Sequence, residues 1–220
     1  MENLQKIAVL IDADNTQIGK LENVIREIST YGRIVVRRAY GNWKKDSMKP
    51  WEDELKRLAI KAVQQFDYVA GKNATDMAMV IDAMDLLHTG IYDAFVIVAS
   101  DSDYTPIAIK LRESAAHIIG VGEKKTPEAF RNSCDEFIYL ENLASETKPR
   151  TVANEESAKG KELNSAIDEI HELLRIAYEK YQDDEDYAHV SSAGIFIKRA
   201  KPDFDLRTYE IGRASCRERV

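Results

Sequence analysis

Cysteine and histidine are scarce in this chain of 220 residues, which has two cysteines, Cys134 and Cys216, and four histidines. Two cysteines cannot build a disulfide framework, and scattered histidines do not suit a zinc site, so a reducing, cytoplasmic setting is the expectation. Long apolar runs are also missing. No stretch approaches the roughly 18 residues that cross a bilayer, and the opening Met1-Glu-Asn-Leu-Gln-Lys6 does not read as a signal peptide. Basic charge is in the minority: 31 Lys and Arg stand against 38 Asp and Glu, for a formal net charge of −7. That balance argues against a strongly basic DNA coat and leaves room for a local nucleic-acid site. A glycine-rich phosphate loop is absent too, because Gly120-Val-Gly122 lacks the rest of any such fingerprint. With 44% apolar and 31% charged residues, the chain is neither disordered throughout nor collagen-like. Its length fits one ordinary domain plus a small one.

What is present alternates in type. Ile7-Ala-Val-Leu-Ile11 is a short apolar run ending at Asp12 and reads as a strand buried on both faces. Ile18, Leu21, Val24, Ile25 and Ile28 then recur at helical spacing up to Gly32. A second strand covers Arg33 to Tyr40, and a helix is expected from Pro50 to Gln65, followed by a strand over Phe66-Asp-Tyr-Val-Ala70. Asp76 to His88 reads as a helix with Met77, Val80, Ile81, Met84 and Leu87 on its apolar face. The most hydrophobic strand, Ala94 to Ala99, runs into Ser100-Asp-Ser-Asp-Tyr-Thr-Pro106. A helix, a strand over Ile118 to Val121, a short helix after Thr126-Pro127 and a strand over Phe137 to Leu140 complete the pattern. This predicts an α/β domain over residues 1–145, with a mostly parallel sheet between two helical layers.

Residues 146–160 lack apolar periodicity and read as a linker. Beyond it, Leu163, Ile167, Ile170, Leu174 and Ala177 mark an amphipathic helix, and Ile195-Phe-Ile197 a second. Two helices in about fifty residues make a thin core. The last eleven residues, Glu210 to Val220, have no pattern and resemble the translation of a sequencing-adapter read-through. The expectation is that this segment is an artefact and that the natural chain continues after Tyr209.

Open α/β sheets bind ligands outside the carboxyl ends of their strands. Asp12, followed by Asp14 and Asn15, leaves the first strand there, and Asp101 and Asp103 leave the strand that ends at Ala99. Asp76 opens the helix after Gly71-Lys-Asn-Ala-Thr75, at the same edge. One such Asp alone is most simply a helix cap or an Asx turn, and Asp14 is most simply solvated. Carboxylates from three segments in one crevice repel one another, and a hard divalent cation such as Mg²⁺ or Mn²⁺ is the usual remedy. A metal held in this way suits phosphodiester hydrolysis.

Asn15 would orient a substrate phosphate or a water, and Lys72, Ser102 and Thr105 are further candidate phosphate contacts, although solvation or capping explains them equally well. Arg33, Arg37, Arg38, Lys44, Lys45 and Lys49, interleaved with Tyr40, Trp43 and Trp51, form the best candidate nucleic-acid track, weighed against a merely solvated face. Cys134 and His88 read as structural.

As a set, Ile11-Asp-Ala-Asp-Asn15, Gly71-Lys-Asn-Ala-Thr-Asp-Met77 with Ile81-Asp-Ala-Met84, Ser100 to Pro106, and Lys125-Thr-Pro127 with Cys134-Asp-Glu-Phe137 resemble the NYN domain. This is a PIN-like nuclease family that includes the LabA-like bacterial proteins and limkain. The resemblance runs in order over residues 5–140. It implies a Rossmann-like PIN fold and a metal-dependent ribonuclease, with Asp12, Asp76, Asp101 and Asp103 as metal ligands and Asn15 beside them. Tyr187 to Tyr209 is similar to the start of a LOTUS (OST-HTH) domain of winged-helix type, broken off at Glu210. That likeness implies RNA, rather than DNA, as the partner, with a protein partner also in view; PIN-like domains often pair, so a homodimer is a further expectation.

Two other readings compete. An RNA-binding regulator without catalysis would use the same crevice for a structural cation or nothing. Asp12-Ala-Asp-Asn-Thr16 also fits the Asp-x-Asp-x-Thr pattern of haloacid-dehalogenase-type phosphatases, but residues 71–77 have no role there and no cap segment is evident.

Overall fold

The computed structural model describes residues 4–67 and 73–143, together with 171, 173–176, 178, 194–197 and 200–205. The chain divides into two compact units, Met1–Ala144 and Ser145–Val220. The first alternates strands and helices: β1 (Leu4–Asp12), α1 (Leu21–Ile28), β2 (Gly32–Gly41), α2 (Trp51–Arg57), β3 (Lys61–Gln64), α3 (Ala74–His88), β4 (Ala94–Val98), α4 (Thr105–Glu113), β5 (His117–Gly122), α5 (Glu128–Ser133) and β6 (Glu136–Tyr139). Together they make a six-stranded sheet in the order β3-β2-β1-β4-β5-β6, parallel at every pairing. The architecture is a PIN-like α/β fold.

β1 shows how the sheet is held. Ile7 to Ile11 are all fully buried, and successive side chains serve opposite faces. Ile7, Val9 and Ile11 enter a core with Leu21, Val24, Ile25 and Ile28 of α1 and Trp51 and Leu55 of α2. Ala8 and Leu10 enter the other core, with Met79, Ala83 and Leu86 of α3, Ile107, Ala108 and Leu111 of α4, and Phe130 of α5. Each large aliphatic side chain buried this way contributes roughly 1.5–3 kcal/mol. The same parity carries Asp12 to the α3/α4 face. The strand order reverses between β1 and β4, so the crevice outside their carboxyl ends is where such a sheet receives a ligand.

Three local features depart from, or explain, the sequence pattern. The expected helix over 50–65 stops at Arg57: Ala59 takes a left-handed φ of 51°, and Lys61–Gln64 instead pair with Arg38–Gly41 as the edge strand β3. No glycine or proline advertises that break, and an edge strand exposed on one face has little apolar alternation to reveal it. Of the strand expected over 66–70, residues 68–70 lie outside those described. On α3, the buried face is Thr75, Met79, Ala83 and Leu86, whereas Met77 and Ile81 are each 57% exposed. This helix is apolar around most of its circumference, so periodicity could not select the face; packing on the sheet did. The pair Gly120 and Gly122 is explained by packing: a Cβ at Gly120 would stand 2.5 Å from the Phe137 ring and 2.7 Å from Cys134 Sγ.

In the second unit the described residues 171, 173–176, 178, 194–197 and 200 are helical, and Ile197 and Asp203 are buried. The linker over 146–160, much of the expected LOTUS-type segment over 161–209 and the segment 210–220 lie outside the described residues. Among those described, no helix is long and apolar enough to cross a membrane.

Candidate active site

Asp12 ends β1 and is fully buried. The chain wraps its carboxylate: Oδ1 accepts the backbone N–H of Asp14 at 3.1 Å and of Asn15 at 3.3 Å, and Oδ2 accepts Asn15 Nδ2 at 2.9 Å. Burial nevertheless pushes its pKa up to about 6, and the charge of Asp76 adds to the rise, against the opposing bonds from Asn15 and Tyr104. Asp76 lies in the first turn of α3, where the helix dipole favours negative charge. Its Oδ1 accepts the Tyr104 hydroxyl at 2.7 Å. Burial raises its pKa as well, and the charges of Asp101, Asp103 and Asp14 act in the same direction.

Asp101 and Asp103 follow β4. Asp101 caps the 3-10 turn Ser102–Tyr104, its Oδ1 accepting from Asp103 N at 3.1 Å and from Ser102 Oγ at 3.4 Å. Asp103 accepts Asn73 Nδ2 at 2.6 Å through Oδ2. Asp14 is not left to solvent: Thr75 Oγ1 donates to its Oδ2 at 2.9 Å, and Lys45 Nζ stands 3.5 Å from its Oδ1. Carboxylates from the β1, β4 and α3 segments thus gather at the switch point of the sheet.

The matching family profile is that of the NYN domain, and it covers residues 6–141. The chain belongs to the NYN domain family. The family is nuclease-like. A crystal structure of a Vibrio parahaemolyticus protein of unknown function has the same fold, with a TM-score of 0.52 and 15% identity over 63% of this chain and 94% of that one. No curated protein matches.

Beside the acidic cluster, the NYN domain has a cavity of about 620 Å³ lined by Asp14, Asn15, Lys45, Trp51, Asn73 and Asp76 among others. Lys45 is at its edge, 3.1 Å from Asp67 as well as 3.5 Å from Asp14. Lys44 lies over the Phe66 ring, 5.2 Å from its centroid. Arg33 and Lys49 of the expected basic and aromatic track are exposed, but its other members are engaged within the fold. Tyr40 is fully buried and Trp51 is 4% exposed, so neither offers a ring to an unpaired base. Arg38 and Tyr40, two apart on β2 and so on one face of the sheet, both bond to Asp82 of α3. Arg37 is bonded to the Leu58 carbonyl at 3.1 Å, and the Trp43 indole N–H to the Val63 carbonyl at 2.9 Å. Thr105 Oγ1 is buried without a hydrogen-bond partner, Ser102 turns to Asp101, and Lys72 lies outside the described residues.

Among the described residues, no three Asp, Glu, His or Cys side chains stand close enough to close a metal site as they are. In chemistry the donors do fit a hard divalent cation. Asp12, Asp76, Asp101 and Asp103 offer carboxylate oxygen alone, without sulfur or imidazole.

Sequence reasoning passed over Tyr104, Asn73, Thr75 and Asp67. Asn73 and Thr75 sit within three residues of Asp76, so the motif around that residue was the signal available for them.

Proposed function

We propose that this NYN protein is a metal-dependent ribonuclease that hydrolyses phosphodiester bonds of single-stranded RNA in the crevice outside β1 and β4, with Mg²⁺ or Mn²⁺. The observation that carries the reading is the Asp12–Asp76 pair. One carboxylate is wholly buried, the other faces it closely enough to raise its proton affinity, and no basic side chain among the described residues bonds to either. Such a pair is costly to keep ionised unless a cation joins it. When bound, a divalent cation supplies Lewis-acid polarisation of the phosphate and offsets charge developing in the transition state.

The chain's own residues hold and shape the site. The backbone at Asp14 and Asn15 fixes the Asp12 carboxylate, and the Asn15 amide orients Asp12 rather than a phosphate. Asp101 and Asp103 complete the acidic rim from the β4 side. The cavity beside Asp76 has room for one nucleotide of the strand, and Lys45 there offsets the charge of Asp14 and Asp67. The likeness of residues 187–209 to a LOTUS domain supports RNA as the substrate class and an appended RNA-binding module.

The test is incubation of the full chain with end-labelled single-stranded RNA in Mn²⁺, Mg²⁺ or EDTA, beside Asp12→Asn protein. Products in Mn²⁺ or Mg²⁺, absent in EDTA and with the variant, are expected. RNA bound but uncut in both metals would replace this reading with the non-catalytic regulator, which the capping role of the Asp101 carboxylate favours.

A further inference from the structure

The hydroxyl of Tyr104 is a non-acidic group that stands against both members of the acidic pair. Tyr104 is fully buried, and its ring packs toward Phe130 with centroids 6.5 Å apart. A phenylalanine would fill the same core volume, so packing explains the ring and not the oxygen. That oxygen donates to Asp76 Oδ1 at 2.7 Å. The Asp12 carboxylate stands against the same hydroxyl, but the short bond goes to Asp76 Oδ1, and Asp76 Oδ2 has no hydrogen-bond partner among the described residues.

The donor is rigidly mounted. Tyr104 closes the 3-10 turn that Asp101 caps, and α4 follows directly from Thr105 with a proline in its first turn. The Asp101 cap therefore fixes where the Tyr104 oxygen stands, and that oxygen in turn fixes a carboxylate 28 residues away in sequence.

We propose that Tyr104 is a positioning residue of the metal centre: its hydroxyl holds the Asp76 carboxylate in one orientation, so that Oδ2 is the oxygen left to bind a divalent cation together with Asp12. The inference rests on the nuclease reading above and deepens it. Outer partners of metal-ligating carboxylates typically govern affinity by about 10–100-fold. Losing the hydroxyl frees the Asp76 side chain to rotate and returns that ordering cost to the binding step.

The test measures Mn²⁺ affinity of the full chain by titration calorimetry for wild type and Tyr104→Phe. Tyr139→Phe serves as a control, because it removes a hydroxyl from the same core, one that accepts a hydrogen bond from Arg131. Thermal midpoints in EDTA monitor the fold. Tyr104→Phe is expected to bind Mn²⁺ about 10–100-fold more weakly, with the control unchanged. The Mn²⁺ concentration for half-maximal RNA cleavage should rise in parallel, while the rate at saturating Mn²⁺ is retained. Affinity within twofold of wild type, or an equal loss in Tyr139→Phe, overturns the role of Tyr104 and leaves the nuclease reading standing. A wild-type chain that binds no Mn²⁺ removes that reading and the positioning role with it.

Discussion

Replacing Asp12 by asparagine should stabilise the metal-free protein while abolishing its response to metal. In the native state burial holds the Asp12 pKa at about 6, against 3.8 for the free side chain. A difference of that size makes the ionised carboxylate unfavourable to fold around by roughly 3 kcal/mol above pH 6. Because the folded pKa is the higher one, the native state binds the proton more tightly. Wild-type stability from this group therefore falls as pH rises from about 4 to about 6 and stays low beyond. Asparagine carries no charge to desolvate, but its amide NH₂ would oppose Asn15 Nδ2, which now donates to Oδ2 at 2.9 Å. Turning the Asn15 amide over or losing that bond costs about 1 kcal/mol. The expected net gain at pH 8 in EDTA is about 1–2 kcal/mol, or roughly 3–8 °C in thermal midpoint. At pH 4 the advantage should vanish, leaving the variant level with wild type or slightly below it.

Urea or thermal denaturation of both proteins at the two pH values, with chelator present, reads this difference directly. Mn²⁺ at a hundredfold excess over its dissociation constant should then stabilise wild type by about 2.7 kcal/mol and leave Asp12→Asn unmoved. A variant less stable than wild type at pH 8 in EDTA, or a difference that does not change between pH 4 and pH 8, would refute the argument that desolvation dominates at Asp12.

Further outcomes follow from packing away from the crevice. Tyr40→Phe removes one of the two donors to Asp82 and should lower stability by about 1–2 kcal/mol without changing Mn²⁺ affinity, as measured by denaturation and calorimetry. Gly120→Ala places a methyl against the Phe137 ring and Cys134 Sγ, and a loss of about 1–3 kcal/mol is expected on denaturation. Cys134, 1% exposed with its thiol pushed up to about 12 by burial, should resist Ellman's reagent at pH 8 in a Cys216→Ser background. It should react at once when the protein is unfolded in guanidinium chloride.

Legibility in the sequence followed locality. β1 and β4 could be read because a central parallel strand is buried on both faces and shows as an unbroken apolar run. The acids at their ends could be placed because a doubly wound sheet puts all its strand carboxyl ends on one edge. β3 escaped because four residues of an exposed edge strand have neither the length nor the alternation to stand apart from a helix. The face of α3 escaped because Met77 and Ile81 are as apolar as Met79 and Leu86, and only contact with the sheet distinguishes them. Part of the basic track misled for a related reason. Arg37, Arg38 and Tyr40 look like a nucleic-acid surface in a string of letters, while their partners, the Leu58 carbonyl and Asp82, lie 21 to 44 residues further along the chain.

By itself, then, the sequence determined the alternation of strand and helix, the parallel sheet that alternation requires, the NYN motifs and the edge on which the acids gather. These depend on side-chain period and on short connections, which are properties of neighbouring residues. The tertiary structure alone decided which acids face each other, that Asp12 is desolvated, that Tyr104 donates to Asp76, and that Arg38 and Tyr40 turn inward to Asp82. Each of these is set by the spacing between elements distant in the chain, and burial, which fixes the cost of a charge, exists only once those elements have packed.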